Sequence, residues 1–240
     1  FPEGLPDHRT EFEAYFDLVP LASLEGKTVC DLGCGIGRWS HFVAGFCERL
    51  ILVDFSDAIF AARRNLAYEP DALFFMADLT QLPFRDGFAD FLFCLGVLHH
   101  LPVPALDAVR TLKRCAPRLL IYLYYALDNR PAHFRVLLRA VTLVRGFTSR
   151  IRAALFRKVL SWLGVVMVYA PLIALGGLLS RVRLGHLVPL QDSSRGKTVC
   201  RIQQDVSDRF FTRIEQRFSR ADIQALDDTF SGVLISARLP

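Results

Sequence analysis

Residues 129–191 of this 240-residue chain contain no Asp or Glu, yet they hold ten Lys and Arg. The rest of the chain carries 19 basic and 24 acidic groups. The net charge of +5 therefore hides an acidic domain with a basic insertion. Lysine is scarce: Lys27, Lys113, Lys158 and Lys197 are four of 29 basic residues. Such an arginine excess follows from genomic base composition, or suits bidentate contacts to carboxylate and phosphate. The six cysteines show no paired spacing, which excludes a disulfide scaffold and leaves no metal site expected. A hydrophobic fraction of 52% excludes a disordered chain. No basic-then-apolar leader is visible, and the first residue is Phe1 rather than Met, so natural residues are expected ahead of it. Thiols without an export signal predict a reducing cytoplasm.

What is present is one domain's worth of core plus an elaboration, with a high mean hydropathy of +0.30. Through residues 27–124 short apolar runs alternate with helical patterns, the mark of a doubly wound parallel sheet. Strands are expected at Lys27–Leu32, Leu50–Val53, Leu73–Met76, Phe91–Cys94 and Arg118–Tyr124. Helices are expected from about Arg38 to Phe46, from an N-cap at Ser56 to Leu66, and from Pro104 to about Cys115. Ser219-Arg220-Ala221-Asp222 reads as a capping box opening a helix to about Asp227, and Val233–Ala237 as a last strand. The pentapeptide GKTVC occurs at 26–30 and 196–200, a coincidence, since nothing around it repeats.

The sharpest local signal is Val29-Cys30-Asp31-Leu32-Gly33-Cys34-Gly35-Ile36-Gly37. A buried strand runs into a turn with glycine at alternate positions, where a backbone at positive φ approaches a ligand without a Cβ clash. A helix start follows, and Asp54 closes the next strand, where an acidic group accepts ribose hydroxyls. VCDLGCGIGRWS resembles the first motif of class I S-adenosylmethionine-dependent methyltransferases, nearest to the small-molecule branch that includes quinone-biosynthesis-type enzymes. LILVDFS at 50–56, FFMADLTQLPFRDGFADFLFCLGVLHHL at 74–101 and RLLIYLYY at 118–125 fall in the order of that family. The resemblance covers about residues 26–125. A dinucleotide site fits less well: the loop lacks the Gly-x-Gly-x-x-Gly spacing, and Asp31 would repel a pyrophosphate.

The resemblance implies S-adenosyl-L-methionine as cofactor. It gives Asp31 the methionine amino group, directly or through water. Gly33, Gly35 and Gly37, with Cys34 between them, shape the loop. Asp54 takes the ribose hydroxyls, Phe55 packs on the adenine, and Asp78 accepts from the adenine amino group with Leu79 beside it. Leu95 and Gly96 border the methionine end. The sulfonium is an activated methyl donor, so alignment of the acceptor is expected to be most of the catalysis. His99 and His100, after the fourth strand, are candidate proton acceptors near neutral pH; the plainer reading is packing within the loop. Tyr124 and Tyr125 end the fifth strand on opposite faces, Tyr124 as a catalytic candidate and Tyr125 as a substrate candidate, or either as an aromatic wall. Tyr15 and Phe16, with Arg9, are candidates to cap the cofactor or simply to pack. Asp205, Glu215 and Arg217, on the return to the sheet, are substrate candidates, against plain surface pairing. One departure stands out: the family's sheet normally ends in two antiparallel strands, and here only Val233–Ala237 is evident, unless Lys197–Ile202 supplies the other.

Val159–Ser180 is a run of 22 uncharged residues between Arg157-Lys158 and Arg181, long enough to span a membrane. Pro171 and Gly176-Gly177 interrupt it, and two helices broken near Pro171, forming an apolar lid, are the preferred expectation over a span. Between Arg135 and Lys158, six arginines interleave with Leu137, Leu138, Val141, Val144, Ile151, Leu155 and Phe156. That pattern reads as a solvated face, as membrane-surface contact through 135–183, or as an Arg-rich mouth for an anionic substrate. Nucleic acid is not expected as a partner, because the rest of the chain is acidic and no base-reading motif appears.

The expected architecture is thus α/β, a Rossmann-like, doubly wound, mostly parallel sheet with a helical insertion after strand five. Residues 1–25 form an N-terminal helical segment, 26–128 and 195–240 the cofactor-binding core, and 129–194 the basic, apolar lid. The expected activity is methyl transfer to a small, partly apolar molecule, at oxygen. A peripheral-membrane enzyme acting on a quinone or lipid, and a cofactor-binding protein without methyl transfer, are the alternatives.

Overall fold

The computed structural model describes residues 5–127, 130–151, 153–184, 187–190, 194 and 197–236, with side chains from residue 8 on. Arg152, Ala237, Asp128, Asn129 and the expected boundary at 195 lie outside the described residues. The chain divides into two units, one of residues 1–124 with 216–239 and the other of residues 125–215.

The first unit is built on five strands: β1 (Thr28–Leu32), β2 (Arg49–Asp54), β3 (Ala72–Met76), β4 (Phe91–Leu95) and β5 (Arg118–Tyr122). All are parallel, in the order β3-β2-β1-β4-β5. Apart from Asp31 of β1, the interiors of the central strands are apolar on both faces, as a sheet covered on both sides requires. Alternate residues sort cleanly. Val29, Leu50, Leu52, Phe91 and Phe93 face one core with Phe12 and Phe16 of α1 (Leu5–Tyr15), Val43 of α2 (Ser40–Val43), and Ile59 and Ala62 of α3 (Ala58–Asn65). Cys30, Leu32, Ile51, Val53, Leu92 and Cys94 face a second core with Ala105, Val109 and Leu112 of α4 (Ala105–Leu112).

The five expected parallel strands and the helices between them are found with shifted ends. The helix after the glycine loop is short: Gly37 N–H donates to Cys34 O at 2.9 Å, which keeps the chain in turns until α2 begins. No side-chain hydrogen bond caps α3 at its N-cap, Asp57, although Ser56 Oγ accepts from Ala58 N at 3.3 Å. Residues 233–236 form no strand, and Lys197–Ile202 does not supply one, so among the described residues the sheet ends at β5.

The second unit is helical: α5 (Ala132–Thr148), α6 (Ala154–Gly164), α7 (Ala170–Ser180) and α8 (Val199–Phe211). A π turn, Val165–Tyr169, joins α6 to α7, so 154–180 is one continuous helix and the expected break near Pro171 does not occur. The wider turn leaves room for the proline ring and its missing N–H. This helix is long and apolar enough to cross a membrane. Val199–Cys200, inside the pentapeptide likened to a strand, opens α8 instead, because Thr198 caps it by accepting from Arg201 N at 3.3 Å. Ile202 and Val206 of α8 then pack with Val165 and Tyr169. α8, expected in the core domain, therefore belongs with the inserted helices. Arg145 of α5 and Glu215 form an ion pair at 2.5 Å, with side chains 9% and 1% exposed.

The last short helix, α9 (Arg220–Gln224), returns to the first unit with the expected capping box, Ser219 and Asp222 bonding reciprocally.

Candidate cofactor site

The carboxyl ends of parallel strands, where the strand order reverses, are the crevice in which such sheets bind ligands. Here the reversal lies between β1 and β4, and the glycine loop follows β1. Gly33 N–H and Cys34 N–H both donate to Val53 O, at 2.7 and 3.1 Å, which ties the loop to β2. Gly33, at φ +75°, would press a Cβ within 2.5 Å of Val97 Cγ2, and at Gly37 it would lie 2.8 Å from Leu66 Cδ1. These two glycines serve packing. Gly35 and Gly96, at φ +54° and +80°, face open space where a Cβ would stand. At the strand ends they leave bare backbone with room for a ligand.

Asp54 anchors the loop: its Oδ2 accepts from Gly35 N at 2.8 Å, and its Oδ1 accepts from Ser56 N and Oγ at 2.8 and 2.6 Å. A carboxylate has about four acceptor positions, so it retains capacity for a hydroxyl donor. Asp31 lies on the face covered by α2 and is 1% exposed, with Ser40 Oγ donating to its Oδ2. Burial pushes the Asp31 carboxyl up to about 7; the Ser40 hydrogen bond opposes this and the nearby Asp54 charge adds to it. Among the described residues no cation pairs with Asp31. An amine or sulfonium would supply the missing positive charge. The two open glycine positions and this uncompensated carboxyl fit S-adenosyl-L-methionine.

Asp78 follows β3, whose end is tied to Asp54 by the Ala77 N–H donating to Asp54 O at 3.1 Å. Asp78 is exposed, and its carboxyl is held below the usual range by the Thr80 hydroxyl and backbone N–H, at 2.7 and 2.8 Å. Phe55 is 70% exposed, Leu79 half-buried, and Leu95 and Cys34 buried. Burial raises the Cys34 thiol well above its ordinary range, which makes it a packing residue rather than a nucleophile.

Beyond β4 and β5 lies an aromatic cluster. The His99 ring stacks on Tyr124 at 3.7 Å, His100 lies 4.2 Å from His99, and the Arg217 guanidinium sits 5.2 Å from the Tyr124 ring. His99 is wholly buried, and desolvation, with smaller contributions from His100 and Arg217, lowers it to about 3. Burial thus favours the neutral ring of His99, in line with the plainer reading of packing within the loop. His100 is half-exposed. Tyr15 meets Trp39 and Tyr122 edge-on at 5.2 and 4.9 Å and belongs to the packed core. Tyr125 and Glu215 fall in the second unit, Glu215 in its ion pair with Arg145.

Three residues with no role expected of them hold the site. Ser40 bonds Asp31; it lies in the motif nine residues on, where only the helix start hints at it. Asn65 Nδ2 donates to Ile36 O at 3.0 Å, fixing the glycine loop from α3. Gln216 is bonded four ways: its N–H donates to His99 O, its Nε2 to Leu101 O and Val103 O, and its Oε1 accepts from Ala105 N, all within 2.8–3.1 Å. No pattern in sequence could pair residues more than a hundred positions apart.

The fold and this crevice define a Rossmann-like domain built to hold a cationic nucleoside. Residues 29–118 match the family described as "Methyltransferase domain". The chain is 39% identical over 106 residues to the tRNA U34 carboxymethyltransferase of Pseudomonas paraeruginosa, covering 41% of this chain and 32% of that protein. It is 30% identical over 107 residues to the enzyme of the same name from Campylobacter curvus, covering 40% and 34%. It is 31% identical over 110 residues to the ubiquinone biosynthesis O-methyltransferase of Pseudomonas paraeruginosa, covering 41% and 47%. The chain thus spans less than half the length of each of these curated relatives. Over residues 29–118 it carries a region similar to methyltransferase domains, on an all-parallel sheet.

Proposed function

We propose that the protein methylates a small, partly apolar acceptor at oxygen. The observation that carries this is the pair of acidic strand ends, Asp31 buried without a cation and Asp54 holding the glycine loop, beside open backbone at Gly35 and Gly96. When bound, S-adenosyl-L-methionine supplies a methyl group already activated on sulfur. Asp31 holds the methionine ammonium, Asp54 the ribose hydroxyls, and Asp78 with Phe55 the adenine. Leu95 and the neutral His99–Tyr124 stack exclude water from the methyl end and offer an apolar wall. Alignment contributes the larger part of the acceleration, about 7–11 kcal/mol where reacting groups are well oriented. His100, half-exposed at the edge of the stack, takes the hydroxyl proton. The six free cysteines suit a cytoplasmic setting.

The likeness to a ubiquinone O-methyltransferase supports the acceptor class. The likeness to two tRNA-modifying enzymes favours a second reading, a nucleic-acid acceptor. Titration calorimetry with S-adenosylmethionine on the wild type and Asp54→Ala tests the cofactor assignment. The expected result is at least about tenfold weaker binding, about 1.4 kcal/mol, and unchanged affinity overturns it. Lysate fractions incubated with methyl-labelled cofactor separate the acceptors. Label in organic-soluble small molecules supports the first reading, and label in tRNA replaces it with the second.

A further inference from the structure

In the second unit two helices carry apolar stripes on their exposed sides. In α5 the outward stripe is apolar: Val136, Ala140, Leu143, Val144 and Phe147 repeat at helical spacing, and Leu143 and Phe147 are 70% and 72% exposed. Its covered side holds Phe134, Leu138, Val141 and Thr148 together with Arg145, which is paired with Glu215. The same spacing recurs in the continuous helix at Leu155, Val159, Trp162, Leu163 and Val166, all exposed. Exposed apolar stripes of this extent mark a surface that meets another apolar phase. Their flanks settle its electrical character. Arg135, Arg139, Arg150 and Lys158 are exposed beside the stripes, and residues 129–191 contain no acid.

We propose that this unit docks on an anionic phospholipid surface, with α5 and the helix 154–180 lying in the plane of the interface. Apolar stripes enter the acyl boundary while the long basic side chains extend to the headgroups. A protein partner would need an acidic surface with a matching apolar floor; an anionic bilayer presents both without special shape. The docking is in-plane rather than spanning because the middle of the helix is already occupied. Ser161, Val165 and Tyr169 are its buried positions, and Gly164 lets Val206 of α8 approach so closely that a Cβ there would lie at 2.8 Å. α8 in turn carries Asp205, held by Lys197 at 2.8 Å and Arg201 at 3.6 Å. A span would drag this charged neighbour into hydrocarbon. The proposal does not depend on the methyl-transfer reading.

The experiment uses the full chain with phosphatidylcholine vesicles, with and without phosphatidylglycerol, and two pairs of substitutions at exposed positions, Leu143→Glu with Phe147→Glu and Leu155→Glu with Val166→Glu. The expected result is co-sedimentation with the anionic vesicles at low salt, loss of most of it at high salt, and at least about tenfold weaker partitioning in each Glu variant. Unchanged S-adenosylhomocysteine binding by the variants reports that the core remains folded. Absence of co-sedimentation at low salt overturns the proposal, as do variants that sediment like the wild type. A wild-type dimer in light scattering that the Glu pairs convert to monomer, with no lipid binding, assigns the stripes to a second copy. Protein that stays with the vesicles through alkaline carbonate washing overturns the in-plane geometry in favour of a span.

Discussion

The two units differ in how much of their apolar surface they cover. In the first, alternate residues of β1, β2 and β4 fall into two dry cores and almost every large side chain there is covered. In the second, the covered groups include an ion pair, while leucine, phenylalanine and valine face outward. The contrast teaches that continuous exposed stripes, rather than exposed apolar residues as such, set the second unit apart. The first unit also exposes apolar side chains, at Phe55, at Phe60 of α3 and along the edge strand β3 at Leu73, Phe75 and Met76, but around two large covered cores. The second covers an apolar cluster, Val165, Tyr169, Ile202 and Val206, beside one buried ion pair, and leaves long apolar stripes exposed between basic side chains.

The contrast is broken most severely from inside. Phe93→Ala, at a wholly buried position of β4, is expected to cost about 3–5 kcal/mol, read as a shift of the denaturant midpoint. Arg145→Met leaves Glu215 charged and buried, at about 3–5 kcal/mol, and the double substitution with Glu215→Leu recovers most of the loss; no recovery would mean the pair is incidental. Gln216→Leu removes three side-chain hydrogen bonds around the loop after β4, and about 1–3 kcal/mol is expected in thermal melts.

The pH dependence sharpens the picture within the first unit, because two buried groups there oppose one another. Asp31, raised to about 7, binds its proton more tightly folded than unfolded, so its contribution to stability is full below about 4 and is lost as pH rises through about 7. His99, lowered to about 3, does the reverse: its contribution is full above about 6.5 and is lost as pH falls towards 3. Asp31→Asn should therefore melt above the wild type at pH 8 without cofactor, and His99→Phe should flatten the decline below pH 6. Identical profiles for wild type and variants would remove both assignments. The smallest effect belongs to the second unit's exterior: Leu143→Ser should change stability by less than about 0.5 kcal/mol, because its side chain is already in solvent.

The strands were legible because period-2 burial on both faces leaves uninterrupted runs such as Leu50–Val53, and Gly33–Gly37 and Asp54 stand at the ends those runs mark. What was illegible depended on distance or on exceptions. Lys197–Ile202 looks like a strand locally and becomes helix because Ile202 and Val206 meet Val165 and Tyr169 across the sequence. Pro171 reads as a break, but a π turn just ahead of it absorbs the fault. The histidine pair reads as a titrating couple until the burial of His99 is known. Ser40 and Gln216 carry no pattern of their own; their roles exist only where the chain has already folded.

Gln216 also sets an order of events. The stretch it pins, from His99 to Ala105, leaves the ribosome more than a hundred residues before Gln216 does. Nascent β1–β5 must therefore wait, with the segment beside His99 untethered, while the entire oily insertion is synthesised. The part with the most exposed apolar surface is made before the clasp that completes the first unit.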